Sequence, residues 1–187
     1  ALIPLVKADR VGLAGDHRQL PPTILNKEAG EKGLAVSLFE RLLEVHGEKI
    51  KEMLRVQYRM NSMIMNFPSR EFYSGELEAD QAVIDWTLAD LELETPSGPL
   101  MKKIFDPAQP VIFLDTVENS SGEESVKDSK SYYNRVEGEI SVQILEAALE
   151  AGLDPVEVAL ISPYKDQADW IRSRIDEERV EIDTVDG

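Results

Sequence analysis

Apolar and polar residues alternate from Leu54 to Met60, where Leu54, Val56 and Tyr58 interleave with Arg55, Gln57 and Arg59. This period of two predicts a strand with its apolar set on a buried face and its arginines on the other. Val11 to Ala14, between Arg10 and Gly15-Asp16, predicts a short buried strand that ends in a loop, and Val111 to Leu114 predicts another strand. Leu34, Leu38, Leu42 and Val45, flanked by Phe39 and Leu43, form a helical stripe that Gly47 should end. The polar stretch Asn26 to Gly33 before it reads as a connector. Asn61 can cap a helix from Ser62, with Met63, Ile64 and Phe67 facing inward; Pro68 should break or restart it, and Phe72-Tyr73 should continue the packing before Gly75.

The carboxyl-terminal third is more regular. Asn134-Arg-Val-Glu137 has the form of a capping box with Asn in the first place. The helix behind it carries Ile140, Ile144, Ala147, Ala148 and Ala151 and should stop at Gly152. An apolar run at Val158 to Ile161 leads into Ser162-Pro163-Tyr164, then a helix with Ala168, Ile171 and Ile175 on one side, then a strand from Val180 to Thr184. Helix, strand, helix, strand is the order of βαβ units, so the expected fold class is α/β with a parallel sheet. Residues 76 to 110, with Pro96, Pro99, Pro107 and Pro110, predict loops and short elements. Glu118 to Ser131, rich in Ser, Glu, Asp and Lys, predicts a flexible loop.

Composition narrows the class. The chain has 187 residues, 42% hydrophobic and 30% charged, with no apolar run long enough to span a membrane. It has no cysteine, which excludes disulfides and thiolate-bound zinc and points to a reducing, cytoplasmic setting. His17 and His46 are too few and too isolated for a metal site. Thirty-six acidic residues against 20 basic ones give a net charge of -16. A nucleic-acid binder usually carries the opposite bias, so any phosphate must be held by local donors.

In parallel sheets, ligands sit beyond the carboxyl ends of the strands. Four polar signatures fall at such ends: Gly15-Asp16 through Pro22, Gln57-Tyr58-Arg59, Ser162-Pro163-Tyr164, and Thr184-Val-Asp-Gly187. An amide, a flat ring and a guanidinium side by side suit a purine nucleotide, the ring for stacking and the guanidinium for a phosphate. The same residues also fit a strand end with one core tyrosine and two solvated arginines.

Taken in order, these stretches resemble the superfamily 1 helicases, in particular the branch of the nonsense-mediated-decay and immunoglobulin mu-binding protein helicases. Gly15-Asp-His-Arg-Gln-Leu-Pro-Pro22 is similar to that family's motif III and Val56-Gln-Tyr-Arg-Met60 to its motif IV. Ser37-Leu-Phe-Glu-Arg-Leu42, Asn66-Phe-Pro-Ser69 with Phe72-Tyr73, and Ile161-Ser-Pro-Tyr164 also fit. Ile182-Asp-Thr-Val-Asp-Gly187 resembles the opening of motif V. The resemblance covers nearly the whole chain except residues 76 to 132.

The resemblance implies a RecA-like P-loop NTPase fold. Residues 1–49 would be the tail of a first RecA-like domain and residues 50–187 most of a second, with a variable acidic insertion at about 76–131. It implies ATP with Mg2+ as the nucleotide. Gly15, Asp16, Gln19, Tyr58 and Arg59 would lie at the nucleotide, with Gln19 sensing the terminal phosphate and the attacking water, Arg59 serving as an arginine finger, and Tyr58 stacking on adenine. Pro21, Pro22, Ser162, Pro163, Tyr164 and Thr184 would contact single-stranded DNA or RNA.

No Gly-x-x-x-x-Gly-Lys-Ser/Thr occurs in the chain, and the magnesium-binding Asp-Glu pair and the arginine-bearing motif VI are also missing. With no initiator methionine at Ala1, the expectation is a piece of an ATP-driven helicase that does not itself hydrolyse ATP. Two other readings fit: a non-catalytic α/β module with the acidic insertion docking a protein partner, and part of a helicase-nuclease fusion.

Overall fold

The structure is a computed structural model that describes residues 6–20, 23–118, 122–126 and 129–185. In chain order the principal elements are α1 (Leu38–His46), β1 (Val56–Gln57), α2 (Ser62–Phe72), β2 (Glu78–Ala79), α3 (Pro99–Ile104), α4 (Arg135–Glu150), β3 (Ala159–Ser162), α5 (Lys165–Arg172) and β4 (Glu181–Thr184). The chain divides into two compact units: residues 1–57 with 67–78, and residues 58–66 with 79–187.

In the first unit, Asn26 caps a single helical turn at Lys27–Ala29, which runs into a π turn at Gly30–Leu34. The helix expected from Leu34 begins only at Leu38, because Gly33 sits at φ 101°, outside helical space. Ser37 then caps α1: its Oγ accepts from Glu40 N at 3.1 Å, and its own N–H donates to Glu40 Oε2 at 2.9 Å. Such a cap contributes about 1 kcal/mol. Gly47 ends α1 at φ 67°, as the sequence predicts.

Three expected strands are corrected. Between Leu54 and Met60 only Val56–Gln57 is strand, Leu54 is 89% exposed and Tyr58 70% exposed, so the apolar set has no buried face. Neither Val11 to Ala14 nor Val111 to Leu114 is strand, and Val11, Leu13, Val111 and Phe113 are all exposed. A strand exists only where a second strand satisfies its backbone, and the described residues supply no partner for these two runs.

Helix α2 is also corrected in its facing. Asn61 does cap it, its Oδ1 accepting from Met63 N at 2.7 Å while its Nδ2 donates to Trp86 O at 2.9 Å. Met63, Ile64 and Phe67 are exposed, however, and the buried positions are Asn61, Met65 and Ser69, one face at spacing four. Pro68 lies inside the helix without ending it.

The second unit carries the core. β3 and β4 are parallel, in register Ala159↔Glu181, Leu160↔Ile182, Ile161↔Asp183 and Ser162↔Thr184, with α5 as the crossover. Leu145 of α4, Ala168 and Ile171 of α5, Val180, and Ile182 of β4 pack together, with Val142, Leu149, Val158, Leu160, Trp170 and Ile175 against them. The helix–strand–helix–strand reading from residue 134 holds, and α4 ends at Ala151-Gly152 with Gly152 at φ 103°. Arg172 Nη2 donates to the Ile182 carbonyl, tying α5 to β4. Among the described residues of 76–131 there are loops, the short β2, a 3-10 turn at Leu88–Asp90 and the short α3, and Glu94 N donates to Ala151 O at 2.9 Å. Of the flexible loop expected at Glu118 to Ser131, residues 119–121 and 127–128 lie outside the described residues, and Glu124 forms an antiparallel bridge with Tyr133 beyond it.

Candidate functional site

The first candidate site is the loop Gly15–Leu20, in the first unit. Asp16 organises it. Its Oδ1 accepts from Arg18 N at 2.9 Å, and its Oδ2 accepts from Gln19 Nε2 at 2.9 Å and from the Tyr73 hydroxyl. Partial burial pushes the Asp16 carboxyl up, but hydrogen bonds from Tyr73, Arg18 and Gln19, with the nearby His17, outweigh it and hold the group below its ordinary value. Tyr73 is pushed up, chiefly because its hydroxyl donates to that carboxylate. His17 stacks on Phe39 of α1, with centroids 5.6 Å apart and planes 10° from parallel. The loop is therefore pinned at two neighbouring residues while Arg18 and Gln19 stay exposed.

Gln19 keeps chemistry in hand. One amide hydrogen is committed to Asp16; the amide has a second hydrogen and an acceptor oxygen, enough to donate to a phosphoryl oxygen and orient a water. Gly15 has open space around it. Pro21 and Pro22 lie outside the described residues.

The second site lies in the second unit, at the carboxyl end of β3. A cleft of about 190 Å³ is lined by Tyr132, Asn134, Ser162, Pro163, Tyr164 and Gln167, among others. Ser162 and Thr184 are register partners, side by side at the ends of adjacent parallel strands. Ser162 is 4% exposed, and its hydroxyl accepts from Tyr164 N and donates to Tyr164 O, both at 3.1 Å. That bracket sets the turn from β3 into α5. Tyr164 is exposed and meets Tyr132 edge-on, with centroids 5.6 Å apart.

The capping box expected at Asn134 is altered by this geometry. Asn134 Oδ1 accepts from Glu137 N at 3.2 Å, as expected, but the Asn134 N–H donates to Gln167 Oε1 at 2.6 Å. Gln167 is buried, and its Nε2 has no hydrogen-bond partner among the described residues. Gln167, Tyr132 and Tyr73 are the residues that sequence reasoning did not assign to a site. Their sequence signals are slight: Gln167 stands three residues after Tyr164, and Tyr73 belongs to the Phe72-Tyr73 pair that fits the family without an assigned role.

Tyr58 and Arg59 follow β1 in the chain and are exposed, in the second unit. Ser162, Pro163 and Tyr164 line one cleft, Ser162 stands beside Thr184 in the strand register, and Asp16 is bonded to Gln19. Among the described residues no cluster of His, Asp or Glu could hold a metal ion, and no helix is long and apolar enough to cross a membrane.

Residues 34–187 match the family model described as an AAA domain. Over 187 residues the chain is 36% identical to the DNA-binding protein SMUBP-2 of Rattus norvegicus, covering 99% of this chain and 18% of that protein. It is 38% identical to the ATP-dependent helicase MJ0104 of Methanocaldococcus jannaschii, over 100% of this chain and 27% of the relative. The DNA replication ATP-dependent helicase/nuclease DNA2 of Homo sapiens is 34% identical, over 98% of this chain and 18% of the relative. The chain thus spans 18–27% of the length of these relatives.

Proposed function

The chain belongs to the AAA domain family, with the superfamily 1 helicases, and on that premise we propose that it works within an ATP-dependent translocase on single-stranded nucleic acid. The α/β content and the small parallel sheet fit a P-loop NTPase fold. In this reading residues 1–49 close a first RecA-like domain and residues 50–187 form most of a second, with the acidic insertion at about 76–131 open to a protein partner.

The observation that carries the reading is the pairing of Ser162 with Thr184 at the carboxyl ends of β3 and β4, where α/β sheets bind their ligands. Backbone amides, the Thr184 hydroxyl and the exposed Tyr164 ring offer a strand neutral donors and a stacking face. Neutral donors position a phosphate backbone even on a chain of net charge -16. By the family resemblance, Gln19 would orient water against a terminal phosphate, Arg59 would neutralise charge on phosphoryl oxygens, and Tyr58 would stack on adenine. The second amide hydrogen of Gln19 and the exposed Arg59 and Tyr58 have the chemistry for a phosphate and a base. The sequence holds no phosphate-cradling loop, and the described residues no acidic cluster for Mg2+.

Two measurements test the proposal. A longer protein that joins this chain to a phosphate-binding loop should hydrolyse ATP faster when single strands are added. Residues 1–187 alone should show no turnover. Robust hydrolysis by the chain alone, or a longer protein indifferent to single strands, would sink the reading. The identity with a helicase/nuclease also favours assaying the longer protein for strand cleavage.

A further inference from the structure

Tyr73 stands just after α2, and its hydroxyl reaches a carboxylate 57 residues earlier in the chain. Its direction is set by the turn that ends the helix. Tyr73 N and Gly75 N both donate to the Ser69 carbonyl, at 3.1 and 2.8 Å, and Glu76 N donates to Tyr73 O at 3.0 Å. Ser74 at φ 56° is the one non-glycine residue with positive φ among those described. A serine in that region is strained and persists where its surroundings over-determine it. Here the tight turn holds Tyr73 against Asp16.

The Asp16 oxygen that takes the Tyr73 hydroxyl also takes the Gln19 amide. An exposed glutamine on a loop otherwise samples many rotamers. Here its amide is tied to a carboxylate oxygen that also takes the Tyr73 phenol, while the other oxygen of that carboxylate takes the Arg18 N–H.

We infer that Tyr73 is a positioning residue for the phosphate response: it fixes Asp16, and Asp16 fixes the Gln19 amide. The inference rests on the proposed role of Gln19. It also gives that role a regulatory sense. Asp16 and Tyr73 lie in the same compact unit but 57 residues apart in the chain, so the tie makes the orientation of the sensor depend on the segment after α2. When that hydroxyl is absent, Asp16 turns to solvent and Gln19 loses its fixed partner.

The tie is checked first on residues 1–187. In the wild type the side-chain carboxyl of Asp16, followed by NMR, should titrate below its ordinary value, and the interaction should be lost as pH falls through that lowered value. In Tyr73→Phe the midpoint moves up; an unmoved midpoint overturns the inference. In the longer, loop-bearing protein, Tyr73→Phe should lower kcat about tenfold with KM for ATP changed less than about twofold, because geometry and not binding is lost. Asp16→Ala cuts the same relay from its other end and should reproduce that loss. In a Gln19→Ala background, Tyr73→Phe should add nothing further. Normal kcat in Tyr73→Phe with slow Gln19→Ala overturns the inference alone, as do losses that multiply. Full turnover by Gln19→Ala brings down the reading of Gln19 itself and the inference with it.

Discussion

Arg59→Ala in the longer, ATP-hydrolysing protein should slow single-strand-stimulated turnover roughly a thousandfold, about 4 kcal/mol of lost transition-state stabilisation. The physical reason is the charge that accumulates on the phosphoryl oxygens as the bond breaks. A guanidinium presents a planar fork of donors that stays charged and aims at more than one oxygen. The effect on folding should be small, within about 0.5 kcal/mol, because Arg59 is exposed. Arg59→Lys keeps the charge but not the fork, so it should recover only part of the rate. Steady-state kinetics beside thermal melting separate the two effects. If Arg59→Ala turns over as fast as the wild type, the arginine-finger assignment fails.

The second large effect is structural, at Gly138 in the second turn of α4. It is buried, and a Cβ built there would lie 2.6 and 2.7 Å from Trp170 Cζ3 and Cε3 and 2.8 Å from Gln167 Nε2. Two opposed terms decide the outcome. Alanine in a helix interior gains about 1 kcal/mol over glycine. Overpacking costs about 1–3 kcal/mol when the neighbour cannot yield. Trp170 has little room to yield: the Arg174 guanidinium lies 3.4 Å from its ring centroid, and the ring packs against the Leu145–Ile171 core. Gln167 is held by the Asn134 N–H at 2.6 Å. Overpacking therefore wins. Gly138→Ala should lower stability by about 1 kcal/mol, and Gly138→Val, with two further carbons and poorer helix propensity, by about 3 kcal/mol or more. Urea unfolding followed by circular dichroism gives both values. As a control, Gly12 has open space and no positive φ, so Gly12→Ala should change stability by less than about 0.5 kcal/mol. A Gly138→Ala chain more stable than wild type would show that α4 and α5 do not approach as closely as the structure has them.

Both sites divide in the same way between what residues announce locally and what only packing supplies. The amide of Gln19 and the guanidinium of Arg59 are visible in a short motif. The phenol that steadies Asp16 is not, because the family-like stretch around Phe72-Tyr73 marks no hydrogen-bond partner for Tyr73, and that partner lies 57 residues earlier. Gln167 reads from sequence as a polar position on an amphipathic helix, yet it completes the cap of a different helix 33 residues earlier.

By itself the sequence determined the features written within one or two turns of chain. Asn61 and Asn134 cap their helices, Gly47 and Gly152 end theirs, and Ala168, Ile171 and Ile175 face the core, with Ile171 only 1% exposed. It also determined the order of helix and strand after residue 134, and with it the parallel pair. The tertiary structure alone decided which apolar runs became strands. Val158 to Ile161 found Val180 to Thr184 across a crossover helix, whereas Val11 to Ala14 and Val111 to Leu114 remained without strand structure. It alone set the exposed face at Leu54 and Tyr58, the helix approach at Gly138, and the tie from Tyr73 to Asp16. The reason is range. Caps and helical stripes are satisfied by neighbours three or four residues away, while a strand, a close helix crossing or a long hydrogen bond needs a partner that no local pattern specifies.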